Sequence, residues 1–217
     1  MATRLIDDTI LQNIAEAIQE KDGGNKMRIS EMAERISAIE SQNNMTIANS
    51  IINRTITNIE SDVSNIGNSA FSKCVTLTSA IFTEATVIDA LSFEGCTHLT
   101  NIEIPKATSL GGSSFYDCRR LSRIFLPATT YLSSQSFMAC GALTVVVMGR
   151  LCALGNTNVF SGTDNAIIYV QPGDLNRYST ATNWSTLYAN NRIKSVAELT
   201  GDDLAWYQQQ LAKYPLS

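Results

Sequence analysis

Apolar positions along the chain follow three rhythms, each predicting a different element. From Asp8 or Thr9 onward, Ile10, Leu11, Ile14, Ala17 and Ile18 recur at helical spacing, with Asp7 and Asp8 at the end that favours acidic groups and Gly23-Gly24 past the last turn. A second helix is expected from Ser30, a suitable N-cap, to about Glu40, with Met32, Ile36 and Ile39 on one face. The polar stretch Ser41-Gln-Asn-Asn44 then separates this pair from a different pattern. Phe71, Phe93, Phe115 and Phe137 stand 22 residues apart, and each opens the run Phe-x-x-Cys-x-x-Leu: Cys74 and Leu77, Cys96 and Leu99, Cys118 and Leu121, Cys140 and Leu143. An aliphatic stands five residues before each Phe (Ile66, Ile88, Leu110, Leu132), and a small residue directly before it (Ala70, Ser92, Ser114, Ser136).

After each Leu comes a short alternating segment that predicts a strand: Ile102-x-Ile104-Pro105, Ile124-x-Leu126-Pro127, Val146-x-Met148 and a weaker Ala80-x-Phe82. A fifth, degenerate copy follows one residue late, with Leu154, Phe160, Thr163 where Cys is expected, and Ile167-Ile168-Tyr169-Val170 before Pro172. One strand and one turn cannot bury a two-sided core, so a repeat of this length is stable only against its neighbours. The strands of successive coils would pair in parallel about 4.8 Å apart, stacking the Phe, Cys, Leu and aliphatic positions into interior ladders.

The third rhythm begins at Pro172. A helix is expected from Gly173 to about Asn190, broken near Thr180-Ala-Thr-Asn183, with Leu175, Tyr178, Trp184, Leu187 and Tyr188 as apolar contacts. A last helix, Asp202 to Lys213, carries Leu204, Tyr207, Leu211 and Tyr214 along one stripe. Such a segment would cap the open end of the ladder. Its aromatic residues read first as cap core, and second as a carbohydrate platform.

Composition narrows the function classes. Only 17% of the 217 residues are charged and the net charge is -4, with no basic cluster beyond Arg119-Arg120, which argues against nucleic acid binding. Ser, Thr and Asn supply the polar surface instead, as 22, 21 and 17 residues. A single histidine, His98, rules out His-based triads and paired-His metal sites within one chain. No apolar window reaches the roughly 20 residues of a membrane span, and charged Arg4, Asp7 and Asp8 stand where a secretory signal would be apolar. No membrane insertion and no cofactor are therefore expected. Carboxylates such as Asp89, Glu94, Glu103 and Asp117 are scattered without a linking motif, so catalysis is not expected. Five cysteines invite a metal or redox reading, but four of them occupy one interior column and read as buried thiols; Cys152 lies outside that column.

The repeat resembles the leucine-rich repeats of the BspA type, whose signature of aliphatic, small residue, Phe-x-x-Cys-x-x-Leu-x-x-Ile-x-Ile/Leu-Pro stands in residues 66–82, 88–105, 110–127 and 132–148. That resemblance implies a solenoid, and with the helical spacing at both flanks it gives an α+β chain: a short parallel solenoid over residues 45–172, an N-terminal helix-loop-helix attachment module over 1–44 and a C-terminal helical cap over 173–217. It implies an interaction role and no catalysis. The segment Ile14-Ala-Glu-Ala-Ile18-Gln-Glu-Lys-Asp-Gly-Gly-Asn-Lys-Met27, with the helix after it, is similar to the N-terminal module of tail, fibre and other minor structural proteins of phages and prophages of Gram-positive bacteria. Pro172-Gly-Asp-Leu-x-x-Tyr178, with Asn183-Trp184 and Arg192-Ile193-Lys194, resembles the ending of phage proteins of the same repeat type.

These resemblances imply a virion protein, tail or fibre associated, made in the bacterial host cytoplasm, with other virion proteins as partners and a host-surface ligand in prospect. The alternative is a bacterial cell-surface adhesin module. Ile14, Ile18, Met32, Ile36 and Ile39 would face water on an isolated helical pair, so a homo-oligomer is expected through them, a trimer first and a dimer second. On the strands, alternation sends Ser79 and Ile81, Asn101 and Glu103, Arg123 and Phe125, and Val145 and Val147 outward. Ile81, Phe125, Val145 and Val147 are apolar where water alone would favour polar groups. Either a flanking helix or neighbouring subunit covers them, or they meet a ligand, with Arg123 and Phe125 as anchors.

Overall fold

The computed structural model describes Ile51 and residues 53–216. The expected oligomerisation residues Ile14, Ile18, Met32, Ile36 and Ile39 lie outside the described residues. From residue 58 the chain winds as a parallel solenoid in which each of the first five coils contributes a longer strand and a two-residue strand, with two more strands after them. In chain order these are β1 (Asn58–Ser61), β2 (Asn65–Ile66), β3 (Ser79–Phe82), β4 (Val87–Ile88), β5 (Asn101–Glu103), β6 (Ser109–Leu110), β7 (Arg123–Leu126), β8 (Tyr131–Leu132), β9 (Val145–Met148), β10 (Ala153–Leu154), β11 (Ile167–Val170) and β12 (Ile193–Ser195). The longer strands form two parallel sheets, β1-β3-β5 and β7-β9-β11-β12, and the short ones a single five-stranded sheet. Strands β5 and β7 are neighbours in space without a shared ladder.

The register explains the repeat. Ile59, Ala80 and Ile102 are aligned across the first sheet, and Ile124, Val146, Ile168 and Ile193 across the second. Every one of these side chains points inward and is buried. The Phe positions stack face to face along the axis: Phe71 on Phe93 at 5.1 Å, Phe93 on Phe115 at 5.1 Å, Phe115 on Phe137 at 5.4 Å and Phe137 on Phe160 at 5.6 Å, with planes 6° to 9° apart. Beside them runs the Cys column. Cys96, Cys118 and Cys140 donate their thiol protons to the carbonyls of Phe71, Phe93 and Phe115 in the preceding coil, at 3.0, 3.2 and 3.0 Å. Thr163, which replaces Cys in the degenerate copy, is buried as well and turns its hydroxyl to the carbonyl of Phe160.

Tight corners link the strands, and they recur in register. Ser69, Leu91, Ser113 and Gln135 hold φ between 55° and 60°, as do Lys73, Gly95, Asp117, Ala139 and Gly162 between 57° and 71°. Only two of these nine are glycine, so most corners hold an L side chain in the left-handed region. The stacked backbone keeps them there, for the amide of Phe93 donates to Ser114 O and that of Gly95 to Tyr116 O, one coil on.

The expected solenoid, residues 45–172, takes in the first coil without naming its strand, and it stops short of the last strand. Ile56, Ile59 and Ser61 fill the Leu-x-x-Ile-x-Ile positions one coil before Phe71, and all three are buried, so β1 extends the ladder upstream. Downstream, Ile193-Lys-Ser195 adds a parallel strand to β11 where only cap helices were expected. The expected helix from Gly173 is a 3-10 segment, Leu175–Ser179, a turn through Asn183 at φ 67°, and α1 (Ser185–Ala189). The last helix, α2 (Gly201–Lys213), agrees with the spacing that predicted it.

Candidate interaction surface

The outward strand positions divide along the solenoid. On β3 and β5, Ser79, Ile81, Asn101 and Glu103 are half-buried, and Asn101 Nδ2 donates to Ser79 Oγ at 3.0 Å. On β7 and β9, Phe125 is 4% exposed, Val145 2% and Val147 0%. These last three are therefore not offered to solvent. α2 lies over them, so for this part of the sheet the flanking-helix reading describes what is observed.

The cover follows from the helix's own sequence. Leu204, Tyr207 and Leu211 recur at three- and four-residue spacing and fall on one face, while Asp202 and Asp203 sit in the first turn and Lys213 in the last, the arrangement the helix dipole favours. Tyr207 is buried and meets Phe125 edge to face at 5.9 Å. Leu199, Tyr169, Val196, Leu204, Trp206, Leu211, Tyr214 and Leu216 complete this second apolar cluster, which is distinct from the solenoid interior. Both ends of the helix are tied by charge. Asp203 accepts from the Arg123 guanidinium at 2.7 Å, and Glu103 accepts from Lys213 Nζ and Tyr214 Oη, each at 2.6 Å. Burial and the Glu103 carboxylate together push the Tyr214 phenol above its ordinary range. Because Arg123 is on β7 and Glu103 on β5, α2 spans the gap between the two sheets.

The end of the ladder is closed by a separate aromatic group. Trp184 follows Phe160 in the stack at 6.2 Å, and Tyr178 meets Trp184 edge-on at 4.9 Å; both rings are fully buried. Trp184 Nε1 donates to Cys152 O at 2.7 Å, and Tyr178 Oη donates to Arg150 O while accepting from Cys152 N, each at 3.1 Å. Cys152 thus belongs to the junction between solenoid and cap. Its thiol, with those of Cys74 and Cys140, is pushed up to about 12 by burial, and Cys96 and Cys118 are raised well above the ordinary range for the same reason. All five are free thiols. A neutral, buried thiol is neither a nucleophile nor a metal ligand. Among the described residues no three His, Cys, Asp or Glu side chains converge as a metal site would require, and none of the described helices is long and apolar enough to cross a membrane.

The sequence of residues 46–167, more than half of the chain, matches in six copies the BspA type leucine rich repeat region. The chain belongs to this family. No curated protein matches the chain. Solved leucine-rich repeat structures are similar to part of the chain at low identity. A Treponema pallidum leucine-rich repeat protein is 23% identical with TM-score 0.46, covering 50% of this chain and 52% of its own. A Bacteroides ovatus leucine-rich repeat protein is 22% identical with TM-score 0.47, covering 56% and 32%. A leucine-rich cell surface protein of Faecalibacterium prausnitzii is 21% identical with TM-score 0.45, covering 58% and 34%. The match takes in a third to about a half of the length of these proteins.

Within this BspA-type chain, sequence reasoning found the outward columns, named a flanking helix or neighbouring subunit as one cover for them and found α2, yet did not identify α2 as that helix. The signal was present: Phe125, Val145, Val147 and Tyr169 form an apolar run on four neighbouring outward positions, and the chain ends with a helix of matching stripe. The ion pairs at the helix ends left no trace in spacing, since Arg123 and Asp203 are 80 residues apart and Glu103 and Lys213 are 110 apart.

Proposed function

We propose that the chain is a phage virion structural protein, tail or fibre associated, in which the solenoid is a rigid recognition arm. The leucine-rich repeat fold supports a binding role: its polar side chains are spent on coil-to-coil ladders, with Thr78, Thr100 and Thr144 donating to carbonyls of the coil before. The virion context is supported by the likeness of residues 5–40 and 172–194 to phage modules. The observation that carries the reading is the closure at one end. Trp184 and Tyr178 terminate the stack and α2 covers β7 and β9, which leaves attachment to the N-terminal side and recognition to the half-buried face of β3 and β5, around Ile81 and Asn101, and to the corners around His98 and Arg119. Homo-oligomerisation through residues 1–44 would array several such arms. Mass spectrometry of purified particles tests the proposal directly: the chain should be recovered in fixed stoichiometry with the other virion proteins. Its absence from particles, with recovery in a cell-envelope fraction, would favour the adhesin-type alternative.

A further inference from the structure

The sheet under α2 has a feature that the solenoid itself does not require. Stacking needs apolar residues inside the coil, and on the first sheet the outward positions are Asn58, Glu60, Ser79 and Asn101 with Ile81 alone apolar. On the second sheet the outward floor is Phe125, Val145, Val147 and Tyr169, flanked by Arg123 at one end and Glu103 across the sheet gap at the other. A cation at one end, an anion at the other and an apolar floor between them specify an amphipathic helix and its direction: acidic at its first turn, basic at its last, with an aromatic residue in the middle. α2 satisfies this pattern with a shallow grip. Only Tyr207 of its thirteen residues is buried, and its apolar cluster is separate from the solenoid core, so its departure would leave the ladders intact.

We propose that this floor is a helix-docking groove for a partner protein and that α2 is its built-in occupant, a strap displaced by a partner helix with the same acid–aromatic–base order. The inference does not rest on the virion reading, and either can fail alone. The test uses the full-length chain and a fluorescent synthetic peptide of residues 199–217 as the probe. In the double variant Asp203→Lys, Lys213→Glu the strap is repelled by Arg123 and Glu103 while the groove is unchanged. Anisotropy at low salt should show the peptide binding this variant at least about tenfold more tightly than wild type, with the gain lost in added salt. Adding Phe125→Asp should abolish binding. Adding Arg123→Glu, which leaves the apolar floor untouched, should restore the strap's own pairing at that end and drive the peptide off. The proposal is overturned if the folded double variant binds no peptide, if wild type binds it equally well, or if neither added substitution weakens binding.

Discussion

The solenoid interior and the strap above it are both apolar clusters built on the same strands, yet they are held together differently. Inside, each Phe ring stacks on its counterpart one coil away and each of Cys96, Cys118 and Cys140 donates to a Phe carbonyl of the coil before, so one favourable geometry is used repeatedly and the middle rings are supported on both faces. Above the sheet, Tyr207 meets Phe125 once, and the terminal helix adds mostly half-buried side chains framed by partly exposed ion pairs. Repetition therefore gives the interior cooperativity. The strap's stability is local, and it can vary without disturbing what lies beneath.

The steepest effect expected from this difference is on alkaline stability. Below about pH 8.5, the ordinary thiol range, folded and unfolded cysteines both keep their protons and contribute no pH dependence. Above it the unfolded chain loses protons that the folded chain retains, up to about 12 for Cys74, Cys140 and Cys152. Stability should therefore fall as pH rises, by about 1.4 kcal/mol per pH unit for each fully buried thiol. Urea titrations at pH 8, 9 and 10 measure this, and flat midpoints would contradict a buried column. Cys118→Ser, whose hydroxyl can keep the bond to Phe93 O, should lessen the slope.

Next in size is the ring ladder. Phe115→Ala removes a ring stacked on both faces and should cost about 3–5 kcal/mol by denaturant unfolding. Tyr207→Ala should cost less, about 1–3 kcal/mol, and should leave the slow reaction of the five thiols with a labelling reagent unchanged. If the two substitutions destabilise equally, or if Tyr207→Ala speeds thiol labelling, the layers are one unit.

How much of this was legible in the sequence depended on repetition too. The interior columns could be read because Phe71, Phe93, Phe115 and Phe137 keep one period, and the period alone implies stacking. β1 was missed because its register is offset by one residue, with Ile59 opposite Ala80, and because it has Ser61 where the other coils carry an apolar residue. The recurring left-handed corners were missed because Leu91, Lys73 and Ala139 are poor markers of positive φ, a conformation usually flagged by glycine. The apolar floor and the matching stripe of α2 were legible one by one, but the ion pairs that seat the strap were not, since nothing periodic links Asp203 to Arg123.

Those corners yield the smallest effect. Leu91 is 39% exposed at φ 60°, so Leu91→Gly removes little packing and relieves a strained backbone. It should raise the thermal midpoint slightly, corresponding to about 1 kcal/mol. A loss of stability instead would mean that the Leu91 side chain is needed by its neighbours.

The two-layer account is tested most directly by hydrogen exchange on the full-length chain under native conditions. Amides in β7, β9 and β11 should exchange only with global unfolding and so share one low rate. Those in α2, residues 201–213, should exchange at least about ten times faster through opening of the strap alone. Equal protection of α2 and the strands beneath it would contradict the account and make strap and solenoid a single cooperative structure.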